Sequence, residues 1–424
     1  MRETKNSGIE WVGIVPSSWK TELGKHFMNC LNRPVLETDG IITCFRDGEV
    51  TLRSKRREDG FTVSFQEIGY QGIENGDLVV HGMDGFAGAI GISDSRGKAT
   101  PVLNVLDTNE HKPYLMYAMR NMAYTDVFLA LSTGIRVRSC DTSWKKLRAL
   151  PYVLPPVDEQ KAIAVEIEKK CKQVDSLIAN QEAQIEKLKA YKQSLITEVV
   201  TKGLDPNVPM KDSGVEWIGS IAANHSVWKL KFMLSEPMMY GANESGESKS
   251  VQSARYIRIT DITADNSLKD DENNLYLAND KAEPYILSDK DILFARSGGT
   301  VGKSFMFREE YGRSAFAGYL IKAKCNQQKL IPEYLLYYTQ SSLYEIWKNM
   351  IFIQATIQNI GANKYSNMEM IVMPISEQKI IVEYLNDKCA KIDGLIAIKQ
   401  AKIEKLNQYK KSIIYEYVTG KKEV

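Results

Sequence analysis

The sequence predicts a mixed α+β chain. Two α/β globular units stand in pseudo-twofold arrangement, separated by two long antiparallel helices that form a coiled coil. Three observations carry this reading: a short entry motif occurs twice, a long proline-free amphipathic stretch occurs twice, and the segments between them barely align yet share one pattern of short strands and few helices. The implied segments are 1–155, a first globular unit; 156–203, a first long helix; 204–373, a second globular unit; and 374–424, a second long helix.

The entry motif is Ser7-Gly8-Ile9-Glu10-Trp11-Val12-Gly13, which returns as Ser213-Gly214-Val215-Glu216-Trp217-Ile218-Gly219. A Trp-Lys pair follows each copy, at Trp19-Lys20 and Trp228-Lys229, and these pairs read as equivalents. The long element begins at Pro156 and returns at Pro374, and it runs to Thr201 and Thr419 without a gap, with roughly half of about 46 positions identical.

Both copies open with helix-start chemistry. Asp158 and Ser376 are the expected N-caps, and the acids after them favour the positive end of the helix dipole. Gly203, followed by Pro206, is a common way to stop a helix, and the second copy frays past Gly420. Within the first helix Ile167, Cys171, Val174, Ile178, Gln181, Ile185, Leu188, Lys192, Leu195 and Val199 are separated by alternating steps of four and three. In the second the series is Leu385, Cys389, Ile392, Ile396, Lys399, Ile403, Leu406, Lys410, Ile413 and Tyr417. Both are heptad seams with polar breaks at the same places, which read as register devices. A helix of about 44 residues rises roughly 66 Å, more than one globular unit can cover, so the two must pack on each other.

In the globular units, Gly76-Asp77-Leu78-Val79-Val80-His81 and Lys290-Asp291-Ile292-Leu293-Phe294-Ala295-Arg296 read as corresponding strands opened by turn residues. The stretches starting Pro113-Tyr114 and Pro332-Glu333-Tyr334 read as helices with proline at the start. Offsets between the repeats make the second unit about a dozen residues longer.

Composition sets limits on function. A formal charge of +2 and a pI near 8.0 arise from many charges of both signs, so bulk electrostatics pulls toward neither nucleic acid nor membrane, and any DNA contact must be local. No apolar leader opens the chain and no uncharged apolar run approaches the roughly 18 residues of a membrane span, so the expectation is a soluble, cytoplasmic protein with no membrane partner. The six cysteines lack a C-x-x-C pair and the four histidines lack ligand spacing, which reads as reduced thiols and no metal site.

Several catalytic signals are incomplete. Ser297-Gly298-Gly299-Thr300-Val301-Gly302-Lys303-Ser304 resembles a phosphate-binding loop but has Ser297 where glycine is required. The Phe305-Met306-Phe307-Arg308 that follows reads as strand where that loop needs a helix. The expectation is a glycine-rich turn between two strands. The catalytic tetrapeptide of an adenine methyltransferase is missing, since Leu154-Pro155-Pro156-Val157 lacks both amide and aromatic, and the chain by itself reads as non-catalytic.

Helices kept alike and globular units allowed to diverge imply one partner recruited twice and two different things contacted. The Glu-Trp-Ile-Gly entry, the Asp-Ile-Leu-Phe-Ala-Arg-Ser-Gly strand and turn, and the Pro-x-x-Glu-Gln-Lys-x-Ile helix start recur together. In their doubled order they resemble the specificity (S) subunit, the HsdS family, of type I restriction-modification enzymes, over essentially the whole chain. The resemblance implies two target recognition domains, each reading one half of a split, asymmetric DNA site, with the paired helices setting the spacer. It also implies two adenine-methylating (M) subunits docked largely along the helices and two ATP-dependent endonuclease and translocase (R) subunits. S-adenosylmethionine, ATP and Mg belong on those partners; this chain is expected to bind no cofactor.

Base readout needs Arg, Lys, Asn or Gln at a groove, with other cations on phosphates. The candidates in the first unit are Arg53, Lys55, Arg56, Arg57, Arg96, Lys98, Arg136 and Arg138. In the second they are Arg255, Arg258, Arg296, Lys303 and Arg313, with Gln354, Gln358, Asn359 and Asn363 as amide readers. The candidate seam residues for partner docking are Ile167, Val174, Ile178, Ile185, Leu188, Leu195, Leu385, Ile392, Ile396, Ile403, Leu406 and Ile413. Two stretches before the helices, Ser132-Thr133-Gly134-Ile135-Arg136-Val137-Arg138 and Ala355-Thr356-Ile357-Gln358-Asn359-Ile360, alternate polar with apolar. This pattern is compatible with side chains turned to a groove or with an outer sheet face. A coiled-coil adaptor with two protein-binding modules is the alternative function, and an ATP-dependent enzyme would rest on the incomplete loop alone.

Overall fold

A computed structural model of the chain describes residues 2–56, 68–130, 141–248, 250, 253–263, 267–269, 273–353 and 358–424. The chain divides into two compact units, residues 1–182 with 400–424, and residues 183–399. The first long helix spans Val157–Lys202 and the second Ile375–Val418, so each unit holds part of both.

The helices begin one residue earlier than the caps predicted from sequence. Gln160 N donates to Pro156 O and Gln378 N to Pro374 O, both at 3.0 Å, which closes the first turn on the proline. Asp158 and Ser376 therefore lie inside that turn, where the acid of the first copy still favours the dipole. At the other ends Gly203 and Gly420 take positive φ of 77° and 68°, the left-handed conformation that terminates a helix at glycine.

Within each unit the two helices run antiparallel. In the second unit Lys192 pairs with Asp393 at 2.6 Å and Lys399 donates to Gln184, so numbers rise on one helix as they fall on the other. In the first unit Lys410 pairs with Asp175 at 2.7 Å, and Ile167, Cys171 and Val174 share a core with Ile413, Ile414, Tyr417 and Val418. The two Lys–Asp pairs are the same pair by the 218-residue repeat. Both are half-exposed, a setting worth about 0.2–1 kcal/mol, so they select register more than they stabilise. The seam follows the heptad pattern: Ile167, Cys171, Val174, Gln181, Ile185, Val199, Leu385, Cys389, Ile392, Ile413 and Tyr417 are buried. Ile178, Leu188, Leu195, Ile396, Ile403 and Leu406 are half-buried.

Each globular part is built on a four-stranded antiparallel sheet of one topology. In the first unit the spatial order is Met28–Leu31, Leu103–Thr108, Leu78–His81, Ile90–Ile92; in the second it is Met239–Tyr240, Leu320–Ala323, Ile292–Ala295, Ser304–Met306. Leu78–His81 and Ile292–Ala295 are the strands expected to correspond, and their neighbours pair in matching register. The glycine-rich loop is a 3-10 turn at Gly298–Thr300 between two strands, as its sequence indicates. The proline-led helices are Lys112–Tyr124 and Pro332–Tyr338.

Each globular part is fastened to its long helix by the same contacts. Gln160 and Gln378 are 0% exposed. Gln160 Oε1 accepts His111 N at 3.0 Å while its Nε2 donates to Pro155 O at 2.9 Å. Gln378 Oε1 accepts Ile331 N at 2.9 Å, and its Nε2 donates to Met373 O at 2.8 Å and Lys329 O at 2.9 Å. His111 and Ile331 each precede a proline-led helix. One turn into those helices Tyr114 and Tyr334 donate to Val153 O and Ile371 O, both at 3.0 Å.

The entry motifs close hairpins of Thr4–Asn6 with Ile14–Pro16 and of Met210–Asp212 with Ser220–Ala222. Their paired glycines all have φ between 72° and 76°, where L side chains are disfavoured. Beyond the motif the structure corrects the sequence alignment. Strand register sets Trp228 opposite Met370 and Glu22 opposite Tyr152, so Trp228 corresponds to Glu22 and Trp19 to His225. Trp19 is 1% exposed and Trp228 48%. What the two buried residues share is a ring N–H: Trp19 Nε1 donates to Glu159 Oε1 at 3.1 Å, and His225 Nε2 lies 2.9 Å from Glu377 Oε1.

The glutamine clamp yields a direct expectation. Gln378→Leu removes partners from one buried N–H and two carbonyls, which should destabilise the second unit by about 3 kcal/mol. Gln160→Leu should do the same to the first unit. Thermal melts with hydrogen exchange to locate the loss check this; protection lost in both units from one substitution would contradict it.

Candidate nucleic-acid interface

In the first unit the described cations of the basic run are engaged by other side chains. Arg53 Nε donates to Thr43 Oγ1 at 2.9 Å, Lys55 pairs with Asp94 at 3.2 Å, and Arg56 pairs with Asp47 at 2.6 Å and Glu49 at 2.7 Å. Arg96 pairs with Asp39 at 3.0 Å and also with Glu74. Lys98 lies in the strand Gly97–Ala99, opposite Gly72. Arg57, Arg136 and Arg138 lie outside the described residues, as does the whole alternating stretch before the first helix.

The structure instead brings Arg53 and Arg56 to a cleft of about 740 Å³, lined also by Thr43, Phe45, Arg46, His81 and Asp84. Sequence reasoning did not single out Arg46 or His81. Arg46 reaches Asp84 at 2.9 Å, and the Arg56 guanidinium lies 4.0 Å from the centre of the Phe45 ring. His81 Nδ1 accepts the N–H groups of Met83 and Asp84 at 3.2 and 3.0 Å, so the ring is neutral with its proton on Nε2. Burial acts in the same direction and lowers its pKa. The signal for Arg46 is local: it sits in the Phe45-Arg46-Asp47-Gly48 turn, whose Gly48 has φ of 86°.

In the second unit most of the arginines are also engaged. Arg255 donates to Asn274 Oδ1 at 3.1 Å, Arg258 pairs with Asp261 at 2.8 Å, and Arg313 pairs with Glu283 at 2.5 Å. Lys303 and Gln358 are exposed, while Gln354 lies outside the described residues. Asn359 bridges to Ser297, and Asn363 Oδ1 accepts Asn367 Nδ2 at 2.8 Å. Arg296 differs from the others. Its guanidinium lies 4.8 Å from the centre of the Tyr240 ring, and its Nε is buried without a hydrogen-bond partner among the described residues.

The same backbone slot in the first unit holds Gly82. Gly82 N donates to Val102 O at 2.8 Å and Gly82 O accepts Thr142 N at 2.9 Å; Arg296 N donates to Tyr319 O at 3.0 Å and Arg296 O accepts Ile360 N at 2.9 Å. The frame is shared and the side chain is not.

Residues 242–408, covering most of the second globular part and much of the second long helix, match the family model described as type I restriction modification DNA specificity domain. Over those residues the chain is similar to the type I specificity-subunit family. It is 22% identical to the EcoKI specificity subunit of Escherichia coli (strain K12) over 72% of this chain, and it spans 65% of that relative's length. It is 25% identical to the putative MjaX specificity subunit of Methanocaldococcus jannaschii over 74% of this chain and 69% of the relative. Its fold is similar to a chain in the solved structure reported as "Structural basis underlying complex assembly and conformational transition of the type I R-M system". That match has a TM-score of 0.67 at 13% identity and covers 95% of this chain and 98% of the other.

The family match falls on the copy that holds Arg296, and the duplicated contacts carry the same frame to the first unit. No group of three His, Cys, Asp or Glu side chains is placed to hold a metal ion among the described residues, and no helix there is long and apolar enough to cross a membrane.

Arg96 is expected to act on stability. Its hydrogen bonds hold the Asp39 carboxyl below the usual carboxylate range. A depressed carboxylate pKa stabilises the fold fully above the unfolded value, about 3.9, and the contribution is lost as pH falls through the lower folded value. Arg96→Ala should therefore cost the first unit about 1–3 kcal/mol at neutral pH. The difference from wild type should close in strong acid. Chemical denaturation across pH measures both, and a pH-independent difference would contradict the assignment.

Proposed function

We propose that the chain is the sequence-specific DNA-binding subunit of a type I restriction-modification complex. The globular segments 1–155 and 204–373 each read one half of a bipartite, asymmetric site. The helices of 156–203 and 374–424 set the spacer and dock two adenine-methylating (M) subunits, to which two endonuclease and translocase (R) subunits add. The chain itself performs no chemistry; S-adenosylmethionine, ATP and Mg act on the partner subunits.

The observation that carries this reading is the contrast between what the duplication keeps and what it abandons. Kept in both units are the buried glutamine, the tyrosine bond, the entry hairpin and the Lys–Asp pair. Abandoned are the side chains that stand at the ends of the equivalent strands, Gly82 and Arg296 among them. An adaptor for two protein modules would share the frame but predicts no preference among duplexes.

The test is binding by the chain assembled with its methylating subunits. Strong, salt-sensitive binding to one split sequence is expected, since phosphate contacts release counterions and base contacts discriminate. Equal binding to all duplexes would favour the adaptor. Exchanging residues 14–150 for another recognition domain should change one half-site only, read by mapping methylated adenines. Adding one heptad to both helices should lengthen the spacer and leave both half-sites intact; an altered half-site would count against the helices as spacer.

A further inference from the structure

Arg296 is held in place by its backbone and by a ring. Its N–H and carbonyl are both bonded, to Tyr319 O and Ile360 N, at the end of the strand Ile292–Ala295. Its guanidinium lies over Tyr240, whose hydroxyl in turn accepts Ala362 N at 2.9 Å. An arginine placed this way loses little further rotamer freedom on binding. The other named arginines of the unit, Arg255, Arg258 and Arg313, have protein acceptors.

The Nε of Arg296 is buried and has no acceptor among the described residues, so the part of this half-buried side chain left for a ligand is its Nη end. The surroundings allow close approach. Tyr240 and Tyr319 are 41% and 61% exposed, and a Cβ added at Gly299 would meet nothing within 4 Å. A guanidinium with a set plane matches the two acceptors, O6 and N7, on the major-groove edge of guanine; it suits two oxygens of a phosphate as well, and base replacement with salt dependence separates the two.

We propose that Arg296, stacked on Tyr240, is the guanine reader of the second unit's half-site. The proposal rests on the DNA-specificity function given above and adds one residue and one base to it. In the first unit the same slot is Gly82, where an added Cβ would lie 2.9 Å from Val102 O, so that unit cannot read a base by this device. The two units thus differ in readout at a position where their backbones agree.

The experiment uses the full chain assembled with its methylating subunits, and a duplex panel in which each base pair of the recognised site is replaced in turn. The wild-type complex should lose about tenfold to a hundredfold in affinity when one G·C pair of one half-site is replaced. Arg296→Ala and Arg296→Lys should both erase that preference and leave the other half-site's preferences unchanged; lysine keeps the charge and loses the fork. Tyr240→Phe keeps the ring and should retain the guanine preference.

Full preference at every pair in Arg296→Lys would overturn the proposal while leaving the DNA function standing. An even loss across all sequences, with a shallower salt dependence, would make Arg296 a phosphate contact and also overturn it. A wild-type complex that binds all duplexes alike would overturn the DNA function, and the proposal with it.

Discussion

A buried amide at the start of each long helix is the constraint on which the arrangement within each unit depends. Gln160 and Gln378 each join three pieces of chain: the long helix, the strand end just before it, and the turn into the proline-led helix of the globular part. A primary amide can accept and donate at one site, which neither a carboxylate nor an aliphatic side chain can do. Because both residues are fully buried, the geometry has no solvent alternative and the globular part is fixed on its helix. The tyrosines Tyr114 and Tyr334 reinforce the same joint.

Duplication has preserved hydrogen-bond geometry more faithfully than side-chain identity. Trp19 and His225 are chemically different, yet both present a buried ring nitrogen to the equivalent glutamate. Gly82 and Arg296 share their backbone bonds and nothing else. A frame held by backbone and by a few buried polar groups leaves the side chains at its edges free to change, as the proposed reading of two different half-sites requires.

The site was less legible than the fold. Counting cations along the chain marked Arg53, Lys55, Arg56 and Arg96, because a run of positive charge is visible in sequence and its partners are not. Asp94, Asp47 and Asp39 come to them from other strands and turns. Arg296 appeared in the same count with no feature to set it apart. Its distinction comes from Tyr240, more than fifty residues away in sequence and brought beneath it by the sheet. The Trp-Lys pairs misled for a similar reason, since strand pairing and not sequence likeness decides which residues are equivalent.

By itself the sequence determined the duplication, the two long helices with their seam and polar breaks, the corresponding strands, and the turn character of the glycine-rich loop. These follow from periodicity and from residues with strong local preferences, which act over a few neighbours. Only the tertiary structure decided which cations are engaged by acids, which residue faces the glutamate at each helix start, and which arginine stacks on Tyr240 with a buried donor unanswered among the described residues. Those outcomes depend on groups distant in sequence meeting at hydrogen-bond range, and no local pattern encodes that meeting.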